Sequence, residues 1–247
     1  MQKQIFKVAI SIPNESYIPV QSYDNHLLIA NHLGKLEKQW EYEKRNPRYE
    51  FGWFTTGRLL TSFAREQLAK NALLQNFDFI LMMDNDMLYP IDFAEYMLRD
   101  MEEHPEIDVL APLAFMRNPP HYAVMYSITE GYDHDLKQDY FMNRFVKKYP
   151  KNKLVECDAV GFGAALIRTS LLRKMKAPYF FSTTGVGEDI WFCHNAKKTA
   201  DARIFMDTRI KLAHLGNQVV IDEEYREKYV KENKEVLDKE YNYNKYK

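Results

Sequence analysis

The spacing of apolar residues changes several times along the chain, and each change marks an element. Lys7 to Ile12 is a short β-rich run closed by Pro13-Asn14-Glu15, which predicts a buried strand leaving into a loop. Val20 to Lys44 holds no proline and sets Leu27, Leu28, His32, Leu33 and Leu36 at helical spacing, so a helix is expected. An aromatic-rich loop follows, including Tyr49 to Phe54. Thr61 to Gln75 then predicts a second helix, with Leu60, Phe63, Ala64, Leu68, Ala72 and Leu73 on one face. Phe77 to Met83 is almost continuously apolar at strand length, the pattern of a strand covered on both faces, and it stops at Asp84-Asn85-Asp86. A helix over Asp92 to Glu103, strands over Val109 to Phe115 and Asp158 to Ile167, and a short helix over Ser170 to Met175 complete the pattern. This alternation predicts an α/β fold: a doubly wound, mixed but mostly parallel sheet with helices on both faces, and a ligand site beyond the carboxyl ends of its strands. Met116 to Asn152, with Pro119-Pro120, is an excursion near that end. The domain is expected to span residues 1–220, with 221–247 a charged, tyrosine-rich helix or tail, packed by residues such as Tyr225 and Tyr229.

Composition narrows the function classes. The chain has 247 residues, 46% of them hydrophobic, enough for one α/β domain with a small extension. Its 34 basic and 35 acidic residues leave a net charge of −1, which argues against a general nucleic-acid binder. Cys157 and Cys193 stand in no metal-binding spacing, so reduced thiols and no disulfide framework are expected. Val8-Ala9-Ile10 is too short for a signal-peptide core. The longest apolar and glycine run, Ala159 to Ile167, is about half the ~20 residues that cross a bilayer. A soluble, cytoplasmic protein with no transmembrane segment is the expectation.

Three groups of residues can carry chemistry. Asp84 and Asp86, placed i and i+2 past a buried strand, point the same way if strand geometry persists, with Asn85 opposite, and could share one hard cation. Such a cation neutralises a diphosphate before it departs. The alternative is an ordinary surface turn, since Asp and Asn are turn formers. Gly185 to Asp189 precedes a helix, and Asp189 is either its N-cap or a base that takes a proton from a hydroxyl. His214 ends a strand-like alternation from Asp207. Beside the Asp pair it would favour manganese or a similar ion over magnesium.

With these motifs in order, the chain resembles the glycosyltransferase family 2 type of enzyme with the GT-A fold, from about Lys7 to Asn217. The resemblance rests on Ile12-Pro13-Asn14-Glu15, Ala64-Arg65-Glu66, Phe79 to Asp86 with its Asp-x-Asp, Val160 to Arg168, Gly187-Glu188-Asp189 and Asp207 to His214. It implies a Rossmann-like GT-A sheet and a metal-dependent transfer from a nucleotide-diphosphate sugar, either a UDP- or a GDP-sugar. Asp84 and Asp86 match the metal-binding motif, with Asn85 between them, and His214 matches the late histidine that can complete the site. The metal implied is Mn2+, with Mg2+ possible. Asp189 matches the base of inverting members, with Glu188 beside it. Arg65, Pro13 and Glu15 match positions near the nucleotide. Glu66 departs from the asparagine often found there. Gly161 and Gly163 would let backbone approach the sugars, or serve close sheet packing.

The acceptor is open at this stage: a glycan, a lipid-linked sugar, a protein or a modified nucleic-acid base. Met116 to Tyr126, with Arg117, Pro119, Pro120, His121 and Tyr122, and the aromatics of Tyr49 to Phe54 could line its groove. Two other classes compete. One is a non-catalytic nucleotide-sugar or glycan-binding protein on the same fold. The other is a sugar nucleotidyltransferase, which would want a glycine-rich, basic phosphate loop that Ser11 to Tyr17 lacks.

Overall fold

Residues 4–14, 17–135, 137–183, 185–216 and 219–243 are described by the computed structural model. The chain opens with β1 (Ile5–Ile12), α1 (Val20–Tyr42), β2 (Arg48–Thr55), α2 (Thr61–Leu74) and β3 (Phe79–Met83). A short β4 (Met87–Leu88), α3 (Phe93–Glu103) and β5 (Val109–Leu113) follow, then a hairpin of β6 (Met125–Asp133) and β7 (Gln138–Phe145). After β8 (Leu154–Cys157), β9 (Ala159–Val160), β10 (Ala164–Arg168) and α4 (Thr169–Lys174) come α5 (Glu188–Ala200), β11 (Ile204–Lys211), β12 (Ala213–Leu215) and β13 (Val220–Ile221). Helices α6 (Glu223–Glu232) and α7 (Lys234–Tyr243) complete it.

The central sheet has seven strands in the order β2-β1-β3-β10-β5-β11-β8. β10 and β8 run against the others, so the sheet is mixed. The apolar run of β3 explains itself here, because both of its faces are covered. Ile80 and Met82 join the core beneath α2, α4 and α5, while Phe79, Leu81 and Met83 join the core beneath α1 and α3.

Several sequence expectations are corrected. Tyr49 to Phe54 is not a loop but most of edge strand β2, paired in parallel with β1. Tyr49 is buried, stacked on Phe6 and packed against Trp40, so the aromatics mark a sheet edge covered by α1. The run Asp158 to Ile167 is two strands in different sheets: β9 pairs with β6 and β10 with β3 and β5. On α1 the covered stripe is Ser22, His26, Ile29, Leu33, Leu36 and Trp40, whereas Leu27 and Leu28 are exposed. Packing selected the stripe containing Trp40 and two polar residues, since Ser22 donates to the Met87 carbonyl at 3.1 Å. On α2, Leu60 and Phe63 are exposed and Arg65 is buried instead. Cys157 and Cys193 are free thiols. No helix among the described residues is long and apolar enough to cross a membrane.

Candidate active site

β3 delivers Asp84 to the rim of the sheet, and the chain turns there. Asp84 lies outside the strand and Asn85-Asp86 form a turn before β4, so the strand geometry that would aim both carboxylates one way does not persist. Asp84 Oδ1 accepts from Arg65 Nη2 at 2.6 Å, while Asp86 faces Arg117 and His214. The turn is pinned from below: Asp84 N donates to the Gly163 carbonyl at 3.0 Å, and the Tyr89 hydroxyl lies 2.8 Å from the Asp84 carbonyl and 2.7 Å from that of Gly163.

His214 reaches this turn through sheet pairing. β12 runs antiparallel to β4, setting His214 opposite Met87, and Leu215 N donates to the Asp86 carbonyl at 2.9 Å. His214 Nε2 therefore stands 3.3 Å from Asp86 Oδ2, although 128 residues separate them. The other ring nitrogen, Nδ1, is 3.0 Å from the Phe115 carbonyl, which fixes it as the N–H and leaves Nε2 with its lone pair towards Asp86. Burial, with the Arg117 charge adding to it, lowers the His214 pKa and keeps the ring neutral.

Two acceptors facing each other need a positive charge between them, and Arg117 supplies one. Its Nη2 contacts Asp86 Oδ2 and lies 3.4 Å from His214 Nε2. Asp86 and His214 have the donor chemistry for a divalent ion, with the backbone carbonyl behind the imidazole that metal-ligating histidines commonly use. Asp84 is turned to Arg65, and among the described residues no three His, Cys, Asp or Glu side chains gather as a ready-made cage. The set thus offers an ion two protein ligands, leaving the rest of its coordination to groups from outside the chain.

Arg65 organises the other half of the site. It is 2% exposed and joins Asp84, Glu188 and the Phe162 carbonyl, the last at 3.2 Å, with the Phe162 ring beside it. Burial opposes its charge, but Asp84, Glu188 and Asp189 outweigh that and raise its pKa. Glu188 and Asp189 open α5. The N-cap there is Gly187, with no side-chain cap, so Asp189 does not act as the N-cap; its Oδ1 accepts from Ile190 N at 2.7 Å. Desolvation, then the neighbouring Glu188 charge, pushes the Asp189 carboxyl up to about 6.

The remaining sequence candidates fall into place unevenly. Pro13 is buried at the end of β1, and Glu15 lies outside the described residues. Asn14, between them, accepts from Asn85 Nδ2 at 3.2 Å and was not singled out from the sequence. Glu66 Oε2 accepts from Tyr179 N at 2.7 Å and Phe180 N at 3.1 Å, so it holds the segment leading to Glu188. A Cβ on Gly161 would lie 2.8 Å from Val124 Cβ, which places that glycine in close packing; one on Gly163 would lie 3.2 Å from Met87 Cε. His121 is buried between Tyr225 and Tyr229 of α6 and Tyr49 is in the core, so neither lines a groove. Tyr89 and Asn14 carried no periodicity or spacing signal. Arg117 sat among the suspected groove residues, but only its contacts with Asp86 and His214, made from the loop closed by the Phe115–Ala123 bridge, show that it faces the Asp turn.

No protein-family model and no curated protein matches the chain. Among solved structures, A197 from STIV is similar at TM-score 0.57 and 16% identity, over 89% of this chain and 91% of that one. The fold is GT-A-like. UDP-glucose pyrophosphorylase in its apo form matches at TM-score 0.47 and 8% identity, covering 85% of this chain and 93% of that one. GalNAc-T7 with UDP, GalNAc and Mn2+ matches at TM-score 0.44 and 11% identity, covering 86% and 43%. At such identities the likeness is one of fold.

Proposed function

We propose that this protein is a cytoplasmic glycosyltransferase that moves a sugar from a nucleotide-diphosphate sugar, a UDP- or GDP-sugar, to an acceptor hydroxyl with inversion at the anomeric carbon. The reading is carried by the meeting of Asp86 with His214 on one side of the Asp84-Arg65 pair and of Glu188 with Asp189 on the other. Asp86 and His214 would hold a divalent ion, manganese before magnesium, which when bound neutralises the donor diphosphate. Asn14 and Asn85, already paired to each other, offer amide groups beside it. Arg65 stands between Asp84 and Glu188 and donates to both. Asp189 accepts the acceptor's proton while the new bond from the acceptor oxygen to the anomeric carbon forms and the bond to the diphosphate oxygen breaks. A carboxyl with a pKa near 6 is largely ionised at neutral pH and a stronger base than an ordinary aspartate.

The test is thermal unfolding with Mn2+ and each of UDP, GDP, CDP and dTDP, repeated on Asp86→Ala. A ligand at 100 times its Kd adds about 2.7 kcal/mol of stability. A metal-dependent shift with one nucleotide, lost in the variant, supports the reading. No shift with any of the four overturns it in favour of glycan binding without catalysis on the same fold.

A further inference from the structure

We propose that the groove between the β6–β7 hairpin and α5 is the acceptor site and that its occupant is a saccharide, so that the glycosylated hydroxyl belongs to a glycan. The inference rests on the transferase reading above and names its second substrate. The groove encloses about 780 Å³, within the roughly 300–1,000 Å³ common for ligand sites. It adjoins the carboxylates along α5, which carries both Glu188 and the groove residue Trp191. Trp191 stands one helical turn after Glu188 on α5, Phe181 packs on Trp191 with ring centroids 5.5 Å apart, and the next residue, Ser182, donates to Glu188 Oε2 at 3.4 Å.

Its walls alternate rings with hydrogen-bonding groups. Phe141 stacks on His194 at 3.9 Å between centroids, and His194 Nε2 is 2.6 Å from Glu130 Oε1. Tyr140 is laid across the hairpin over Gly131, where a Cβ would come within 2.6 Å of the tyrosine ring. Tyr140 and Phe181 are 43% and 48% exposed, and the indole N–H of Trp191 is a buried donor without a protein partner. A pyranose presents an apolar C–H face to such rings and a rim of hydroxyls to carboxylates, imidazole and indole N–H. Charge separates this occupant from the others. Glu130 and Asp139 outnumber Lys198, so the groove lacks the basic excess that nucleic acid or a lipid-linked diphosphate would require.

The full chain, with Mn2+ and whichever of UDP, GDP, CDP and dTDP shifts its melting present, is applied to immobilised glycans and titrated with cellotriose, maltotriose and triacetylchitotriose, alongside Trp191→Ala and Tyr140→Ala. Retention of a saccharide class, weakened at least tenfold in either variant while the nucleotide-dependent melting shift persists, supports the proposal. If Trp191→Ala fails to fold, the exposed Tyr140→Ala carries the test. Saccharide binding unchanged in the folded variants overturns it, as does retention of no saccharide by a protein that still shows the nucleotide shift; in both cases the transferase reading stands. A wild type whose melting none of the four nucleotides shifts removes that reading itself, and this proposal with it.

Discussion

Arg65 Nη2 lies 2.6 Å from Asp84 Oδ1, and the other end of the same guanidinium contacts Glu188, so one buried cation joins the strand-end aspartate to the first turn of α5. Removing it leaves Asp84, Glu188 and Asp189 facing one another without a counter-charge. Arg65→Ala is therefore expected to destabilise the fold by about 3 kcal/mol, and Arg65→Lys by less, since one ammonium cannot serve both carboxylates. Urea unfolding of the two variants measures this; equal stability of Arg65→Ala and wild type would show that the pair organises nothing.

Arg117 competes with any cation for Asp86 and His214. An exposed ion pair is worth up to about 1 kcal/mol, so Arg117→Ala is expected to tighten Mn2+ binding without nucleotide by roughly fivefold. Electron paramagnetic resonance of free Mn2+ reads the affinity directly. Weaker binding in the variant would mean that Arg117 supports the ion site rather than occupying it.

Asp189 works as a base only when ionised, and its pKa is raised to about 6. Turnover is expected to rise with pH through that value and level off above it. Asp189→Asn is expected to lower kcat by about 10²–10⁴ while the UDP-dependent melting shift stays. Full turnover in this variant would rule out the inverting scheme.

A second titration belongs to stability alone. Asp100 is buried against Asp207 and pairs with Arg209 at 2.5 Å; burial, then its hydrogen bond with Asp207, pushes its carboxyl up to about 6 from an ordinary 3.8. The folded state holds a proton there that the unfolded chain has released between those values. Its stabilising effect is full below about 4 and is lost as pH rises through 6. Asp100→Asn mimics the protonated carboxyl, so its melting temperature relative to wild type is expected to climb between pH 4 and about 7. Calorimetry across that range decides it, and parallel curves would show that the pair shares no proton.

Local pattern made much of the architecture legible. An apolar run such as Phe79 to Met83 needs cover on both faces, whatever follows in the chain. The same reasoning missed β2, because an edge strand built from Tyr49, Phe51 and Trp53 lacks a continuous aliphatic signal. On α1 it named Leu33 and Leu36, which are buried, together with Leu27 and Leu28, which are exposed though equally apolar, since only contact with the sheet selects between helix faces.

The site divides along the same line. Residue types and their place at element ends marked Asp84, Asp86, Asp189 and His214, because carboxylates after a buried strand and at a helix start are visible in one dimension, whereas Arg65 came only from the family resemblance. The sequence by itself could not say which of them meet. The chain turns at Asn85, so Asp84 goes to Arg65 and Asp86 to His214, and the second meeting exists only because β12 pairs with β4. Hydrogen-bond register between distant strands depends on the packing of the whole sheet, and Arg117 reaches Asp86 from a loop 31 residues further along the chain, a meeting that no local pattern shows.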